Sequence, residues 1–251
     1  MIETDLTFFA LAIPAVLFAG ISKGGFGSGA AFAATPILAL ILEPGQAVGM
    51  MLPLLMMMDV TALKPYWRKW DWPSAKMMII GCVPGIALGG AFYQLANPDV
   101  FRVLIGLVAL GFVAWQVARA KGWVALGNDT MPNRAGIIAG IVGGFTSFVS
   151  HAGGPPAAVF LLSRGLSKTE YQATSVIVFW VMNGLKFIPY FLLGIFSWQI
   201  ARIDLLLMPF AVIGVWLGVK AHDLIPERIY FAITYVLLIG TGTKLIYDAL
   251  T

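Results

Sequence analysis

The sequence predicts an all-α membrane protein that crosses the bilayer several times. Hydrophobic residues make up 59% of the 251 residues and charged residues only 11%, a composition that excludes an ordinary soluble domain. The apolar residues gather in runs that approach the roughly 20 residues a helix needs to cross a bilayer. These runs are uniformly apolar, whereas the strands of a membrane β-barrel alternate. They are Val48–Leu63, Met77–Leu95, Val103–Val117, Ser175–Leu193, Leu205–Val219 and Ile229–Ile246.

The spacing of these runs leaves no stretch of soluble-domain size, so we expect one membrane domain over residues 1–251. The formal net charge of +4 is small, and most basic residues fall in short loops, so no nucleic-acid partner is implied. The single cysteine, Cys82, lies in an apolar run and is expected to be a small packing residue. The acidic start of the chain is not typical of a cleavable signal peptide.

Lysine and arginine cluster in alternate loops. The positive-inside rule places such loops in the cytoplasm. Counting crossings outward from them puts both termini on the opposite side of the membrane. The clusters are Lys64, Arg68, Lys69 and Lys76; Arg119, Lys121 and Arg134; Arg164 and Lys168; and Lys220, His222 and Arg228.

Two glycine-rich interruptions, Gly20–Gly29 and Gly143–Pro156, mark two similar halves. When the halves are aligned, Asp59 falls on Asn183 and other matches follow in the same order. We therefore predict an internal repeat over residues of about 6–120 and 134–250. Each half would hold a broken, re-entrant helical hairpin and three transmembrane helices, an odd number of crossings that gives the halves inverted topology. Short tilted full spans are the alternative to re-entrant hairpins.

The two interruptions are the candidate binding site. Backbone that leaves a helix inside hydrocarbon exposes N–H and C=O groups, so it normally lines a cavity. The helix that starts after each break points its N–H groups and positive dipole end inward, which suits an anion. The candidate substrate-binding residues at the breaks are Lys23, Gly24, Gly25, Phe26, Gly27 and Ser28, and Ser147, Ser150, His151, Ala152, Gly153 and Gly154. Glycines four residues apart, such as Gly20 and Gly24 or Gly136, Gly140 and Gly144, are instead expected to be helix-packing positions.

Few ionisable residues lie within the apolar segments. Lys23 lies at the first break, and Lys186 lies one helical turn from Asn183 inside a later span, where contact with lipid would be costly. Lys23, Asn183 and Lys186 are therefore interpreted as substrate contacts. His151 is a core histidine, a proton carrier or an anion donor. Asp59 neutralises a lysine, carries a coupled proton or simply approaches the interface; the sequence does not choose between these roles.

Three motifs carry a resemblance to a known family. They are Gly20-x-x-Lys-Gly-Gly-Phe-Gly-x-Gly29 followed by Pro36, Gly143-Gly-Phe-Thr-Ser-Phe-Val-Ser-His-Ala-Gly-Gly-Pro-Pro156, and Asn183-Gly-Leu-Lys-Phe-Ile-Pro-Tyr190. With them, nearly the whole chain resembles the TauE/SafE sulfite exporters, also called the toluene-sulfonate uptake permease family. The resemblance implies a bacterial inner-membrane protein that moves sulfur-containing anions such as sulfite, sulfoacetate, thiosulfate or aryl sulfonates. In that membrane, the loop charges predict that both termini are periplasmic.

The leading hypothesis is thus a secondary transporter, an exporter of sulfite or organosulfonates. The expected partners are the small anion and membrane lipid, with a coupling ion (proton or sodium) and a homo-oligomer left open. No cofactor or metal is expected, and the chain has no phosphate-binding loop for an ATPase. The alternatives are an anion channel and an intramembrane hydrolase that uses Ser147 or Ser150 with His151.

Overall fold

The computed structural model describes residues 4–25, 30–123, 130–221 and 227–251. Within these ranges the chain is helical and contains no strand. The helices are α1 (Leu6–Gly25), α2 (Ala34–Leu38, preceded by a 3-10 turn at Ala31–Ala33), α3 (Pro44–Leu63), α4 (Trp72–Leu95), α5 (Pro98–Ala120), α6 (Asn133–Ser150), α7 (Gly154–Leu162), α8 (Lys168–Leu192), α9 (Trp198–Ala221) and α10 (Glu227–Leu250). Seven of these helices, α1, α3, α4, α5, α8, α9 and α10, are long and apolar enough to cross a membrane. The prediction of an all-α, multi-pass membrane protein is confirmed.

Several spanning helices begin before their apolar runs because polar residues cap their first turns. The side chain of Asp71 accepts a hydrogen bond from the Ser74 N–H (3.1 Å), and Asn97 accepts one from the Val100 N–H (2.8 Å). Ser167 forms a capping box with Glu170 at the start of α8. Each cap satisfies backbone donors that have no partner within the helix.

Each broken hairpin enters and leaves on one side of the molecule. Asp5 and Phe8, at the start of α1, line the same cavity as the residues that follow α2, Ala39–Glu43. In the second half, Arg164 after α7 donates from Nη1 to the Met131 carbonyl before α6 (2.8 Å). α7 has 9 residues and a length of about 14 Å, too short to cross a hydrocarbon core of about 30 Å. This geometry is the one that re-entrant hairpins require, and the re-entrant insertion itself stays a prediction.

The interruptions are shorter than the sequence predicted. α1 continues through the glycines to Gly25, and α6 continues to Ser150. In the second half only the residues between Ser150 and Gly154 leave the helix, where His151 takes a left-handed backbone (φ 58°). The glycines have low intrinsic helix propensity, and here packing against partner helices compensates for it.

Glycine faces join the two halves of the chain. A Cβ on Gly24 of α1 would lie 2.2 Å from the Val215 carbonyl oxygen of α9, and one on Gly25 would lie 2.2 Å from the Gly218 oxygen. On the other side, a Cβ on Gly140 of α6 would lie 2.3 Å from the Met78 oxygen of α4. The predicted packing role of glycines spaced by four is therefore confirmed, and Gly25 shares it.

We expect Gly24→Ala to destabilise the protein by about 2 kcal/mol or more, because the added methyl group forces α1 away from the α9 backbone. Thermal unfolding of the purified protein in detergent measures the change. Gly240→Ala is the matched control, since a Cβ there meets nothing within 4 Å and alanine favours a helix. An unchanged melting temperature for Gly24→Ala would contradict the close packing.

The halves are interlocked rather than side by side. α1 packs on α9 and α6 packs on α4, so each hairpin contacts a helix of the other half. The equivalent helices α3 and α8 run in opposite directions: Gly49 lies beside Ile195, while Asp59 contacts Asn183 further along. α5 and α10 are likewise antiparallel. These directions are the ones that an inverted repeat requires, and the inversion itself stays a prediction.

The two ends of the molecule differ in charge. At one end of the molecule, residues from both halves line a common cavity, among them Tyr66, Arg119 and Lys168. We call this end the basic end. At the other end, Asp5 and Thr251 line a common cavity, so the two terminal helices meet there. The basic end is the predicted cytoplasmic side; the orientation stays a prediction.

Candidate functional site

A buried ion pair joins α1 to α3. The Lys23 ammonium donates to Oδ1 of Asp59, and the two residues are only 5% and 1% exposed. Oδ2 of Asp59 accepts from the Asn183 amide of α8 (2.6 Å). The Lys23 carbonyl in turn accepts from the Gln172 amide (3.0 Å). Three helices thus meet at the Asp59 carboxylate. Its ion-pair partner is Lys23 and not Lys186.

One turn further along α8, Lys186 is completely buried. Its Nζ contacts the Ser147 carbonyl oxygen (3.0 Å), the Ser147 hydroxyl (2.9 Å) and Nδ1 of His151 (2.8 Å). An ammonium has three N–H donors, so all three are used. Within the described ranges no carboxylate lies within ion-pair distance of Lys186, whose partners are neutral.

The contacts of His151 fix the tautomer of its neutral ring. Nδ1 faces the Lys186 ammonium and therefore accepts, while Nε2 lies 2.9 Å from the Val48 carbonyl oxygen and must donate. A carbonyl oxygen can only accept a hydrogen bond. His151 thus links the second break to the start of α3. The two groups, Lys23–Asp59–Asn183 and Lys186–Ser147–His151, lie one turn apart along α8. Together we call these six residues the polar column.

The polar column also satisfies the end of α6. Carbonyl groups in the last turn of a helix lack intrahelical partners, and here the Phe148 carbonyl accepts from the Tyr190 hydroxyl. The Ser147 carbonyl accepts from the His151 N–H (3.0 Å) and also from Lys186. A cation at this place also interacts favourably with the negative end of the helix dipole. Both donors come from α8, so α8 holds the second hairpin in place.

The structure brings only part of the predicted site together. Lys23, Asp59, Ser147, His151, Asn183 and Lys186 form the polar column. Ser150 donates to the Thr146 carbonyl (3.1 Å) and the Ala152 carbonyl accepts from Thr146 (2.9 Å), so both serve the local turn. Gly153 lies against Phe179, with 2.9 Å left for a Cβ. Phe26, Gly27 and Ser28 lie outside the described residues.

Gln172 was missed by the sequence reasoning, although a signal for it exists. Stepping back from Lys186 by three or four residues along a helix leads to Asn183, Phe179, Val176 and Gln172, and all five are buried. A glutamine on this stripe needs a partner. Trp180, next to Phe179 in the sequence, lies off this stripe and is 41% exposed.

A cavity of about 690 Å³ opens at the basic end and reaches both hairpins. Gly25, Gly154 and Pro155 line it, together with Arg119 and Lys168. Gly154 and Pro155 begin α7, so the N-terminus of that helix faces the cavity. A basic cavity that ends at a helix N-terminus is suited to small anions.

A second buried carboxyl, Asp204 of α9, lies apart from the polar column. It is 1% exposed. Neither of its oxygens has a hydrogen-bond partner among the described residues. No contact in the described part of the chain joins it to Lys23 or Lys186.

Comparison with known protein families gives a match over nearly the whole chain. The model of the family described as "Sulfite exporter TauE/SafE" matches residues 12–245. No curated protein and no solved structure shows a significant match. The matched residues include every residue of the polar column and all or most of each of the seven long helices. The chain therefore belongs to the sulfite exporter TauE/SafE family, whose members are transporters.

Proposed function

We propose that the protein is a secondary transporter that exports small sulfur-containing anions, such as sulfite or organosulfonates, across the bacterial inner membrane. The termini would lie in the periplasm and the basic end in the cytoplasm. Family membership supports a sulfur oxyanion as substrate. Direction and the exact anion are part of the proposal.

The observation that carries this proposal is the buried Lys186. Lys23 and Asp59 neutralise each other, whereas Lys186 has only neutral partners in the described ranges. A buried cation without a counter-charge is costly, and a bound anion relieves that cost. The column therefore favours an anionic substrate over a neutral or cationic one.

The basic cavity supports entry from the cytoplasmic side. Arg119 and Lys168 on its wall attract anions, and the cavity reaches Gly154 at the N-terminus of α7. His151 lies just before that helix, in contact with Lys186. An anion that has reached α7 would thus be close to the polar column.

The hydrolase alternative finds less support in the contacts. Ser150 donates to the Thr146 carbonyl, and both nitrogens of His151 are engaged by Lys186 and Val48. Ser147 contacts Lys186 rather than the histidine. A serine activated by histidine needs a direct hydrogen bond between the two, which neither serine makes here.

Transport assays in proteoliposomes test the proposal. We expect saturable uptake of radiolabelled sulfite, competition by other sulfur oxyanions, and counterflow, in which unlabelled anion trapped inside drives accumulation of label. Liposomes without protein are the control. Uptake without saturation or counterflow would indicate a channel, and no uptake of any anion in the panel would overturn the proposal.

His151→Gln is expected to remove the pH dependence of transport. His151 is buried and its Nδ1 faces the Lys186 ammonium, and both features oppose a positive charge on the ring. Protonation of His151 would break its acceptor contact with Lys186 and free an N–H donor for the anion, so wild-type transport should rise only at acidic pH, below the range in which a free imidazole titrates. Glutamine keeps hydrogen-bonding capacity but cannot titrate.

An organosulfonate is the right substrate for this experiment, because it stays ionised at acidic pH whereas sulfite itself titrates. His222→Gln, a change of the chain's other histidine, is the control. If His151→Gln keeps the wild-type pH profile, the histidine has a structural role only.

A further inference from the structure

The Asp59 carboxylate accepts hydrogen bonds from donors on two different helices. Oδ1 accepts from the ammonium of Lys23 on α1, and Oδ2 accepts from the amide of Asn183 on α8. Each carboxylate oxygen therefore has one strong donor, and the group is 1% exposed. A buried ammonium and a buried amide that donate to one anionic group are typical of an oxyanion-binding site. Here the anionic group is a side chain of the protein itself.

These donors are of the kind that would recognise a transported sulfur oxyanion. Sulfite and sulfonates, like a carboxylate, spread negative charge over oxygens that accept hydrogen bonds from ammonium and amide groups. Asn183 is one helical turn from Lys186. An anion bound to Asn183 would thus be close to the cation that lacks a counter-charge.

In the arrangement described here the donors of the column already hold partners. Lys186 uses its three N–H donors on Ser147 and His151. Asp59 neutralises the charge of Lys23 and also holds the Asn183 amide. An anion that takes the place of Asp59 on Lys23 and Asn183 must displace it. Exchange of the Asp59 carboxylate for the anion replaces one oxyanion by another and leaves Lys23 with a counter-charge.

We propose that Asp59 is a tethered competitor, which holds Lys23 and Asn183 in the anion-free protein and must leave them before the transported anion binds. This inference rests on the proposed transport function. It makes anion binding and the contact between α1, α3 and α8 mutually exclusive. Binding then selects a different arrangement of these helices, as alternating access requires.

Equilibrium binding of [³⁵S]sulfite to the purified full-length protein, at fixed pH and without oxygen, tests the inference. Removal of the competitor by Asp59→Asn should tighten binding at least tenfold and slow net transport. Asp204→Asn is the control, because it removes a carboxyl that is equally buried but lies outside the column. The affinity of this variant for sulfite should stay within twofold of the wild-type value. Unchanged or weaker binding by Asp59→Asn would overturn the inference.

A measurement on the wild type covers the case in which Asp59→Asn does not fold. Addition of sulfite should change a carboxylate band in the infrared difference spectrum, and the conservative variant Asp59→Glu should shift that band. A sulfite-induced spectrum that is the same in wild type and Asp59→Glu would rule the competitor out.

Failure of this inference is distinguishable from failure of the transport function. If Lys186→Met abolishes sulfite binding while Asp59→Asn leaves it unchanged, the anion site stands and the competitor is wrong. If Lys186→Met binds sulfite like wild type, the proposed site itself is wrong.

Discussion

Lys186→Met should lower transport of the sulfur anion by about 100-fold or more. Methionine has a similar length and keeps the packing but removes the charge. Loss of a buried charge interaction of about 3 kcal/mol corresponds to a factor of about 100 in binding. Lys186→Arg should not restore transport, because the planar guanidinium is larger than the ammonium and the side chain is fully buried.

Initial rates in proteoliposomes, corrected for the amount of inserted protein, measure this effect. Lys244→Met is the matched control, since Lys244 is also on a spanning helix but its side chain is 57% exposed. Near-wild-type rates for Lys186→Met would place the anion site elsewhere in the molecule.

Lys23→Met should have the largest effect on stability. The change leaves the Asp59 carboxylate buried with only the Asn183 amide as a partner, and removal of one member of a buried ion pair costs about 3–5 kcal/mol. The double variant Lys23→Met/Asp59→Leu should regain most of that loss, because two apolar side chains can replace a buried pair. It should still fail to transport.

The melting temperatures of the wild type, Lys23→Met and the double variant, measured in the same detergent, test this prediction. Lys244→Met again serves as control: its exposed ion pair with Asp248 contributes at most about 1 kcal/mol. A double variant as unstable as Lys23→Met would show that the cost comes from lost packing rather than from the unpaired charge.

The helices of this protein could be predicted from sequence because the bilayer imposes a simple rule. A helix that crosses it must be apolar over its length. Each predicted run therefore falls within one long helix (α3, α4, α5, α8, α9 or α10), except that Leu193 is the C-cap of α8. The hairpins could be predicted because a glycine-rich segment interrupts the apolar sequence before α2 and before α7. Both of these helices are short in the structure. The first residues of the helices could not be predicted from the apolar runs. α4, for example, begins before its apolar run because the Asp71 side chain caps its first turn.

The partners within the site could not be predicted, because they depend on how helices distant in sequence pack. Spacing along α8 placed Asn183 and Lys186 on one face, but it did not show that Asp59 pairs with Lys23 rather than with Lys186. Glycine content suggested long breaks, yet α1 remains helical to Gly25. There the contact with Gly218 of α9 outweighs the low helix propensity.

The interlocking of the halves sets the order in which this chain can be completed during synthesis. α1 is made first, but the helix that covers its glycine face, α9, starts only at Trp198. Lys23 can find Asp59 after 36 residues, whereas Gln172, which binds the Lys23 backbone, follows 149 residues later. A nascent chain that contains only the first half therefore presents an uncovered glycine groove to lipid. The close contacts of these α1 glycines can therefore form only after the second half has been made.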